Sequence, residues 1–412
     1  MTRSVVENLA RIIVSFMISS EARGDTVKLR DECISFTTDK YIMLSHDSNH
    51  ILGRIYKGKP IRALSSEGGG VKVEFGFSSG TIEISKSDIR SKVRFKEESN
   101  HGKSLNNAFV VNKSRVVIYS APNKSSPFGV LEEGWRYPVK SLVNEGGALW
   151  FRISIAGRSG YIKKSDVYLD KGIPVLNYHH IMEVHENLNF RNLNTVISYD
   201  AFFQQMKWLN EHGVKTLTIH ELDKWLKREI NLPAKSVLLT FDDGLKSVHR
   251  YAWPVLYNFN MKATAFIITS RIRDESEEWD PNMLQSMSKD ELREIAEVFS
   301  LQSHSNALHN AFGNNTRSIY KYNSQYIESD FRKSREILEK FNPDVYSLAW
   351  PFGSSSEQAE QAVKNAGFRL AFSIKQGVVN YAGDLMKLNR YYLSEDTTRN
   401  ELIYLIEEGR EK

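Results

Sequence analysis

The sequence predicts a multi-domain protein in which two small all-β units precede an α/β domain built from βα repeats around a parallel sheet or barrel. Three observations predict it. At 412 residues the chain is too long for one ordinary core. Residues 25 to 170 carry short alternating runs separated by Gly, Asn and Ser, the texture of antiparallel strands. From about Ile173 the texture changes to apolar strands alternating with amphipathic helices, the signature of βα units. The divisions expected are residues 1–24, 25–96, 108–170 and 171–412, with the polar segment Glu97 to Asn107 linking the two β units.

The opening segment bears on location. Arg3 and Arg11 precede an apolar stretch, Ile12 to Ile18, followed by the small-x-small pattern Ser20-Glu21-Ala22. This reads as a signal peptide or as an ordinary amphipathic helix. Export or cell-wall association is therefore expected, with the cytoplasm as the other outcome. The stretch falls well short of the roughly 20 apolar residues that span a bilayer, so no transmembrane anchor is expected. A composition of 41% hydrophobic and 25% charged residues is that of a globular protein. The net charge of +5 is spread along the chain, with no dense Lys/Arg run interleaved with aromatics, and this excludes nucleic acid as the expected partner. Cys33 is the only cysteine, so neither an intrachain disulfide nor a CxxC metal site can form.

The two β units repeat each other. The first runs Ile51-Leu52-Gly53, Gly58, Val71 to Phe75, Ser79-Gly80-Thr81-Ile82 and Ser87-Asp88-Ile89. The second runs Phe128-Gly129, Gly134, Trp150 to Ile153, Ser159-Gly160-Tyr161-Ile162 and Ser165-Asp166-Val167. The shared order and spacing predict an internal duplication.

In the α/β part, Ser198 is placed to cap a helix that buries Phe202, Phe203, Met206 and Leu209 and stops at Gly213. Ser236 to Phe241 reads as a short buried strand. Ser288 and Glu291 form a capping box ahead of Leu292 and Ile295. A helix over Glu357 to Ala366 ends at Gly367, and Leu370 to Ile374 follows as a strand.

Four segments carry chemistry. Thr240-Phe241-Asp242-Asp243-Gly244 sits where a buried strand ends, and two adjacent carboxylates there repel unless a cation lies beside them. Active sites of barrels lie at that end of the strands. Ser303-His304-Ser305-Asn306-Ala307-Leu308-His309 follows another apolar run; its spacing of five takes the imidazoles off a common helix face, so a loop must bring them together. Asp243, His304 and His309 would form an oxygen and nitrogen set that suits Zn²⁺ and leaves positions open. Leu348-Ala349-Trp350-Pro351-Phe352-Gly353 can fix a backbone N–H for an oxyanion. Pro174-Val175-Leu176-Asn177-Tyr178-His179-His180 is an apolar strand ending in two histidines. Taken singly, each of these reads as a turn, a surface loop or a core strand.

Together and in this order, the segments resemble the NodB-homology polysaccharide deacetylases, carbohydrate esterase family 4, over about Ile173 to Asp396. The TFDDG stretch matches that family's first motif, His304 and His309 its second, and Trp350-Pro351-Phe352-Gly353 its third. The histidine spacing and the PVLNYHHI opening look like the poly-N-acetylglucosamine deacetylase branch, whose motif order is circularly permuted. The second β unit resembles bacterial SH3-like domains, the first more weakly, and this implies a cell-wall peptide or glycan as their ligand, with a purely structural spacer as the other reading.

The family resemblance implies a distorted (β/α) barrel and hydrolysis of the N-acetyl group of N-acetylglucosamine units in a cell-wall or biofilm polysaccharide, with acetate released. It implies a divalent metal, Zn²⁺ ahead of Co²⁺ or Ni²⁺, on Asp243, His304 and His309, with Asp242 as the base. Phe352, Pro351, Trp350 and Arg390 are implied on the oxyanion and substrate side. Two departures matter. No histidine follows His309, so the general acid must be His179 or His180; and Ala349 stands where many members carry Arg, for which Arg390 is the candidate. These departures leave open a catalytically inactive wall- or glycan-binding protein, and a small-molecule metallohydrolase is a third class. The polymer could be poly-N-acetylglucosamine, peptidoglycan or a chitin-like chain.

Overall fold

The computed structural model describes residues 33–44, 47–67, 69–92, 102–105, 107–112, 114–312, 316–407 and 410–411. The signal-peptide reading of residues 1–24 and most of the linker over residues 97–107 fall outside them. Among the described residues no helix is long and apolar enough to cross a membrane.

From Cys33 to Asp170 the described alternating runs form strands; thirteen join one sheet, and Phe109–Val111, Arg136–Pro138 and Tyr168–Asp170 belong to a second. In the first half, Gly70–Phe75 and Ser78–Glu83 make a hairpin followed by a 3₁₀ turn at Lys86–Asp88; in the second, Ala148–Ile155 and Arg158–Lys163 make a hairpin followed by a turn at Lys164–Asp166. Residues equated by the repeat take matching places. Gly80 pairs with Val73 and Gly160 with Ile153. A Cβ on either glycine would lie 2.2 Å from Ile42 Cγ2 or 2.6 Å from Ile118 Cγ2, so each is held to glycine by a close-packed neighbour.

The sequence separates the two units, and the structure fuses them. Strand Asp47–Ile55 runs antiparallel to Pro127–Leu131, with Gly53 opposite Leu131 and Ile55 opposite Gly129. Phe75 pairs with Ile155, its counterpart in the other copy. Such reciprocal pairing is what a local two-fold axis between duplicated units produces. Ile42, Leu52 and Phe75 from one half share a single buried cluster with Ile118, Phe128 and Ile153 from the other.

In the α/β part, parallel strands Leu370–Phe372, Ser347–Ala349, Phe299–Ser303, Ala263–Ile267, Ser236–Phe241 and Ile173–Tyr178 lie side by side in that order, and Lys215–Leu217 also pairs with Ser236–Phe241. The segment after Leu370–Phe372 closes the ring. Leu388 N donates to Ala371 O, and Tyr391–Tyr392 pairs with Leu176 and Asn177. The domain is thus barrel-like, and the turns that follow its strands carry the four chemical motifs.

The helix signals act as read. Ser198 Oγ accepts from Ala201 N at the start of Tyr199–Glu211, which buries Phe202, Met206 and Leu209, with Phe203 left half-buried. Ser288 and Glu291 cap each other ahead of Lys289–Ile295. The last strand stops at Phe372, two residues before its expected end.

The β region is bolted to the barrel by polar and aromatic contacts. Arg136 reaches Asp170 at 2.7 Å, Ser236 Oγ at 2.6 Å and the Pro233 carbonyl, with both members of the ion pair buried. Phe77 and Phe109 pack on Trp225 and Tyr381 beside it.

Candidate active site and metal centre

Strand Ser236–Phe241 delivers the paired carboxylates. Asp242 N still bonds to Tyr178 O, whereas Asp243 and Gly244 turn into the left-handed region at φ 74° and 73°. This turn sends the two side chains to different tasks, because consecutive residues leaving the pleat diverge. A single strand, Phe299–Ser303, two places along the sheet, supplies both histidines. His304 leaves Phe299–Ser303 with its N–H on Ile267 O, and Ser305 at φ 72° reverses the chain. Asp330 then accepts the N–H groups of Asn306 at 2.8 Å and Ala307 at 2.9 Å, which fixes the loop that brings His309 back.

Asp243 Oδ1 lies 3.5 Å from Nε2 of both His304 and His309. That is too long for a hydrogen bond. It matches the roughly 3.4 Å that separates two atoms each about 2.1 Å from a tetrahedral ion. The three donor atoms lie within 4.8 Å of one another, and this is the one such group among the described residues. His304 Nδ1 faces the Ala349 carbonyl at 2.8 Å; a carbonyl only accepts, so Nδ1 carries the proton and Nε2 presents its lone pair toward Asp243. Asp243 Oδ1 is buried with no hydrogen-bond partner in the protein. An orphaned carboxylate oxygen facing imidazole lone pairs is costly without a cation, so the residues fit a divalent metal. Burial pushes both imidazoles down to about 4, which favours the neutral form a metal requires.

Asp242 is gripped differently. Arg390 donates Nη1 to Oδ1 at 2.7 Å and Nη2 to Oδ2 at 2.9 Å, and Asn177 Nδ2 donates to Oδ2 at 3.2 Å. Burial alone would raise the acid, but the charge of Arg390, with His304 and His179 behind it, overrides that and holds the carboxyl well below its usual range. His179 Nε2 stands 3.7 Å from Asp242 Oδ2, and its Nδ1 has no hydrogen-bond partner in the protein. The adjacent His180 points to the other face of the strand. Its Nδ1 meets Ser247 Oγ at 2.7 Å, its ring packs on Phe190 and Trp279, and burial pushes it down to about 4. Of the two histidines, His179 is the one beside the carboxylates.

The third motif divides. Phe352 adopts φ 56° and stacks its ring on His309 at 4.3 Å. Trp350 and Pro351 are buried, and the Trp350 indole N–H is spent on Met386 O at 2.7 Å. Both side chains, which the family resemblance implied on the substrate side, are packed inside the domain. Arg390 is likewise 1% exposed, with its guanidinium on Asp242.

Sequence reasoning did not single out three residues that surround the site. Asn177 Oδ1 accepts from Arg390 Nη1 and from Thr240 Oγ1, each at 3.0 Å, tying strand to clamp. Asp330 holds the histidine loop from a distant helix. Tyr392 places its ring 5.8 Å from His179, its hydroxyl without a hydrogen-bond partner in the protein. Asn177 adjoins Tyr178-His179 and could have been found from that position; the other two carry no local mark.

Residues 229–371 match the family model described as polysaccharide deacetylase, a span that contains both carboxylates and both metal-facing histidines. The chain carries a polysaccharide deacetylase domain. As such the protein is a hydrolase. The deacetylase is 28% identical over 240 residues to a poly-beta-1,6-N-acetyl-D-glucosamine N-deacetylase of Staphylococcus aureus, covering 56% of this chain and 81% of that protein. It is 29% identical over 231 residues to the protein of the same name from Staphylococcus epidermidis, covering 54% and 78%. Among solved structures it resembles the Streptococcus pyogenes deacetylase PplD in complex with acetate, with a TM-score of 0.50, 23% identity and coverage of 57% and 98% of the two chains. That last likeness is one of fold.

Proposed function

We propose that this deacetylase hydrolyses the N-acetyl groups of N-acetylglucosamine units in an extracellular polysaccharide, poly-β-1,6-N-acetylglucosamine in the first instance, using a divalent metal held by Asp243, His304 and His309. The observation that carries this reading is the partition of the two neighbouring aspartates: one faces two imidazoles with an orphaned oxygen, the other is ionised and clamped beside a third imidazole. A cation in the triad, Zn²⁺ ahead of Co²⁺ or Ni²⁺, supplies Lewis acidity toward the acetamide carbonyl and acidifies a water. Asp242 accepts the proton as that water adds to the carbonyl carbon. The backbone N–H of Phe352 would donate to the oxygen on which negative charge develops, as the family motif implies. His179, whose Nε2 stands 3.7 Å from Asp242 Oδ2, protonates the amine as the C–N bond breaks, so that acetate and a free amino sugar leave.

In the same reading, residues 25–96 and 108–170 are SH3-like modules that bind a wall peptide or glycan, residues 171–412 are the catalytic domain, and residues 1–24 direct export. The duplicated hairpins support the paired modules, and the names of the relatives support the catalytic domain. The test is acetate and free-amine formation from β-1,6-linked N-acetylglucosamine oligomers, peptidoglycan and chitin oligomers, each with and without chelator. Chelator-sensitive release from the β-1,6 oligomers is expected. No release from any of the three, with metal supplied, defeats the reading.

A further inference from the structure

Between helices Tyr199–Glu211 and Arg399–Glu407 lies a pocket of about 330 Å³ that none of the steps above uses. Its volume sits at the lower end of the roughly 300–1,000 Å³ typical of ligand clefts, so it suits one small molecule and not a length of polymer. Two side-chain donors in its wall are left over. Gln205 and Trp208, one helical turn apart, are each 6% exposed. Neither the Gln205 amide nitrogen nor the Trp208 indole N–H meets an acceptor in the protein. Buried donors without acceptors are costly, and two on one pocket wall call for a ligand that supplies the missing acceptors.

The charges narrow its chemistry. Lys207 lies 3.9 Å from Glu211, and Arg399 is the remaining charge on the lining. Two spare donors beside a guanidinium suit a ligand that only accepts and carries one negative charge, and a planar carboxylate meets both conditions. The pocket is also wired to the catalytic strand. Gln205 Oε1 accepts from the Tyr178 hydroxyl at 2.8 Å, so one end of the amide is engaged while the other is spare. Tyr178 stacks on Phe241 at 5.2 Å, its carbonyl accepts from Asp242 N at 3.0 Å, and His179 is the next residue.

We infer that this pocket is an effector site for a small carboxylate, which takes up the spare donors of Gln205 and Trp208 and acts through Tyr178 on the strand that presents Asp242 and His179. The carboxylate is either acetate, which the proposed reaction releases, or a sugar acid of one ring.

Binding is read by calorimetry on Asp243→Asn with chelator present, so that no carboxylate is counted at the metal centre. Sodium acetate and sodium glucuronate are compared with sodium chloride at constant ionic strength. At least one carboxylate should bind saturably, and the tighter of the two names the source; chloride should give no signal. Trp208→Phe and Arg399→Met should each weaken that binding at least about tenfold. Arg399 is exposed, so its variant stays readable should Trp208→Phe disturb the fold. In the Zn²⁺-loaded wild type the same carboxylate should change kcat about fivefold with KM unmoved. Arg399→Met should keep the basal kcat and lose the response. No saturable binding, binding indifferent to both substitutions, or turnover that ignores the bound carboxylate overturns the effector site. The binding arm is independent of the polymer. A chain that binds the carboxylate through Arg399 yet releases no acetate from any oligomer would keep the carboxylate pocket and sink the substrate reading instead.

Discussion

Arg390 grips Asp242 with both arms of its guanidinium, at 2.7 and 2.9 Å, where neither side chain keeps more than 3% of its surface. They lie 148 residues apart in the chain. The pairing gives Asp242 a low proton affinity. It also holds the carboxylate in one orientation, which a point charge would not.

Replacing Arg390 should therefore act on the base and not on the metal. Arg390→Met leaves a buried carboxylate without its main counter-charge and should cost about 3–5 kcal/mol of stability. Asp242 then binds protons more tightly, so the acid limb of kcat/KM moves to higher pH. Arg390→Lys should keep much of the stability but lose turnover by about a hundredfold, since ammonium cannot form the fork. Unchanged pH profiles in both variants would separate the pair from catalysis.

The two aspartates should fail in different ways. Asp243→Asn removes the one anionic donor of the triad and should abolish both tight Zn²⁺ retention and acetate release. Asp242→Asn should retain the metal and lose turnover by at least about a hundredfold. Metal content by atomic emission and the metal-induced rise in Tm, equivalent to about 2.7 kcal/mol at a hundredfold excess over Kd, measure the first property directly. Loss of metal from both variants alike would contradict the partition.

How much of this was visible beforehand follows from distance along the chain. Asp242, Asp243, His304 and His309 sit in compact motifs, and their residue types alone narrowed the chemistry. Arg390 was reachable only as a replacement for the missing motif arginine, because its contact with Asp242 is made across the closed ring. Asp330 has no signal, since a carboxylate capping a distant loop looks like any helix-surface acid. Trp350 misled for the opposite reason: an aromatic flanked by Pro and Gly looks like a pocket wall, but its indole N–H is satisfied inside by Met386. In the front region, alternation gave strands and a repeat, yet strand edges carry no partner label, so the pairing of Arg54 with Val130 across the copies was not foreseeable.

Acid should destabilise the metal-free protein through its buried histidines. His180, His304 and His309 are each pushed down to about 4 by burial, against about 6.5 in an unfolded chain. Below pH 6.5 the unfolded state takes up protons that the folded state refuses, so stability falls as pH drops from 6.5 toward 4. A Tm decline of about 5–10 °C across that window is expected, measured with chelator present. His180→Gln should flatten part of it without touching the triad. A flat Tm between pH 7 and 4.5 would show that these rings are not held neutral.

The link between front region and barrel rests on Arg136, which binds Asp170 on its own side and Ser236 Oγ and Pro233 O on the other. Arg136→Met removes the cation and strands the buried Asp170 carboxylate, at a cost of about 3–5 kcal/mol. Adding Asp170→Leu should recover much of that loss, because the remaining side chains can pack without a charge. Urea unfolding followed by limited proteolysis distinguishes the variants: Arg136→Met should expose cleavage near Gly172, where Arg136 Nη2 meets the carbonyl at 3.4 Å, and the double variant should not. Ser236 begins the strand that leads into Asp242, so the single variant should also lower turnover more than metal retention. If both variants unfold like wild type, the aromatic cluster and the hydrogen bonds of Asn231 to Phe75 and Phe77 hold the two parts, and the ion pair is incidental to the junction.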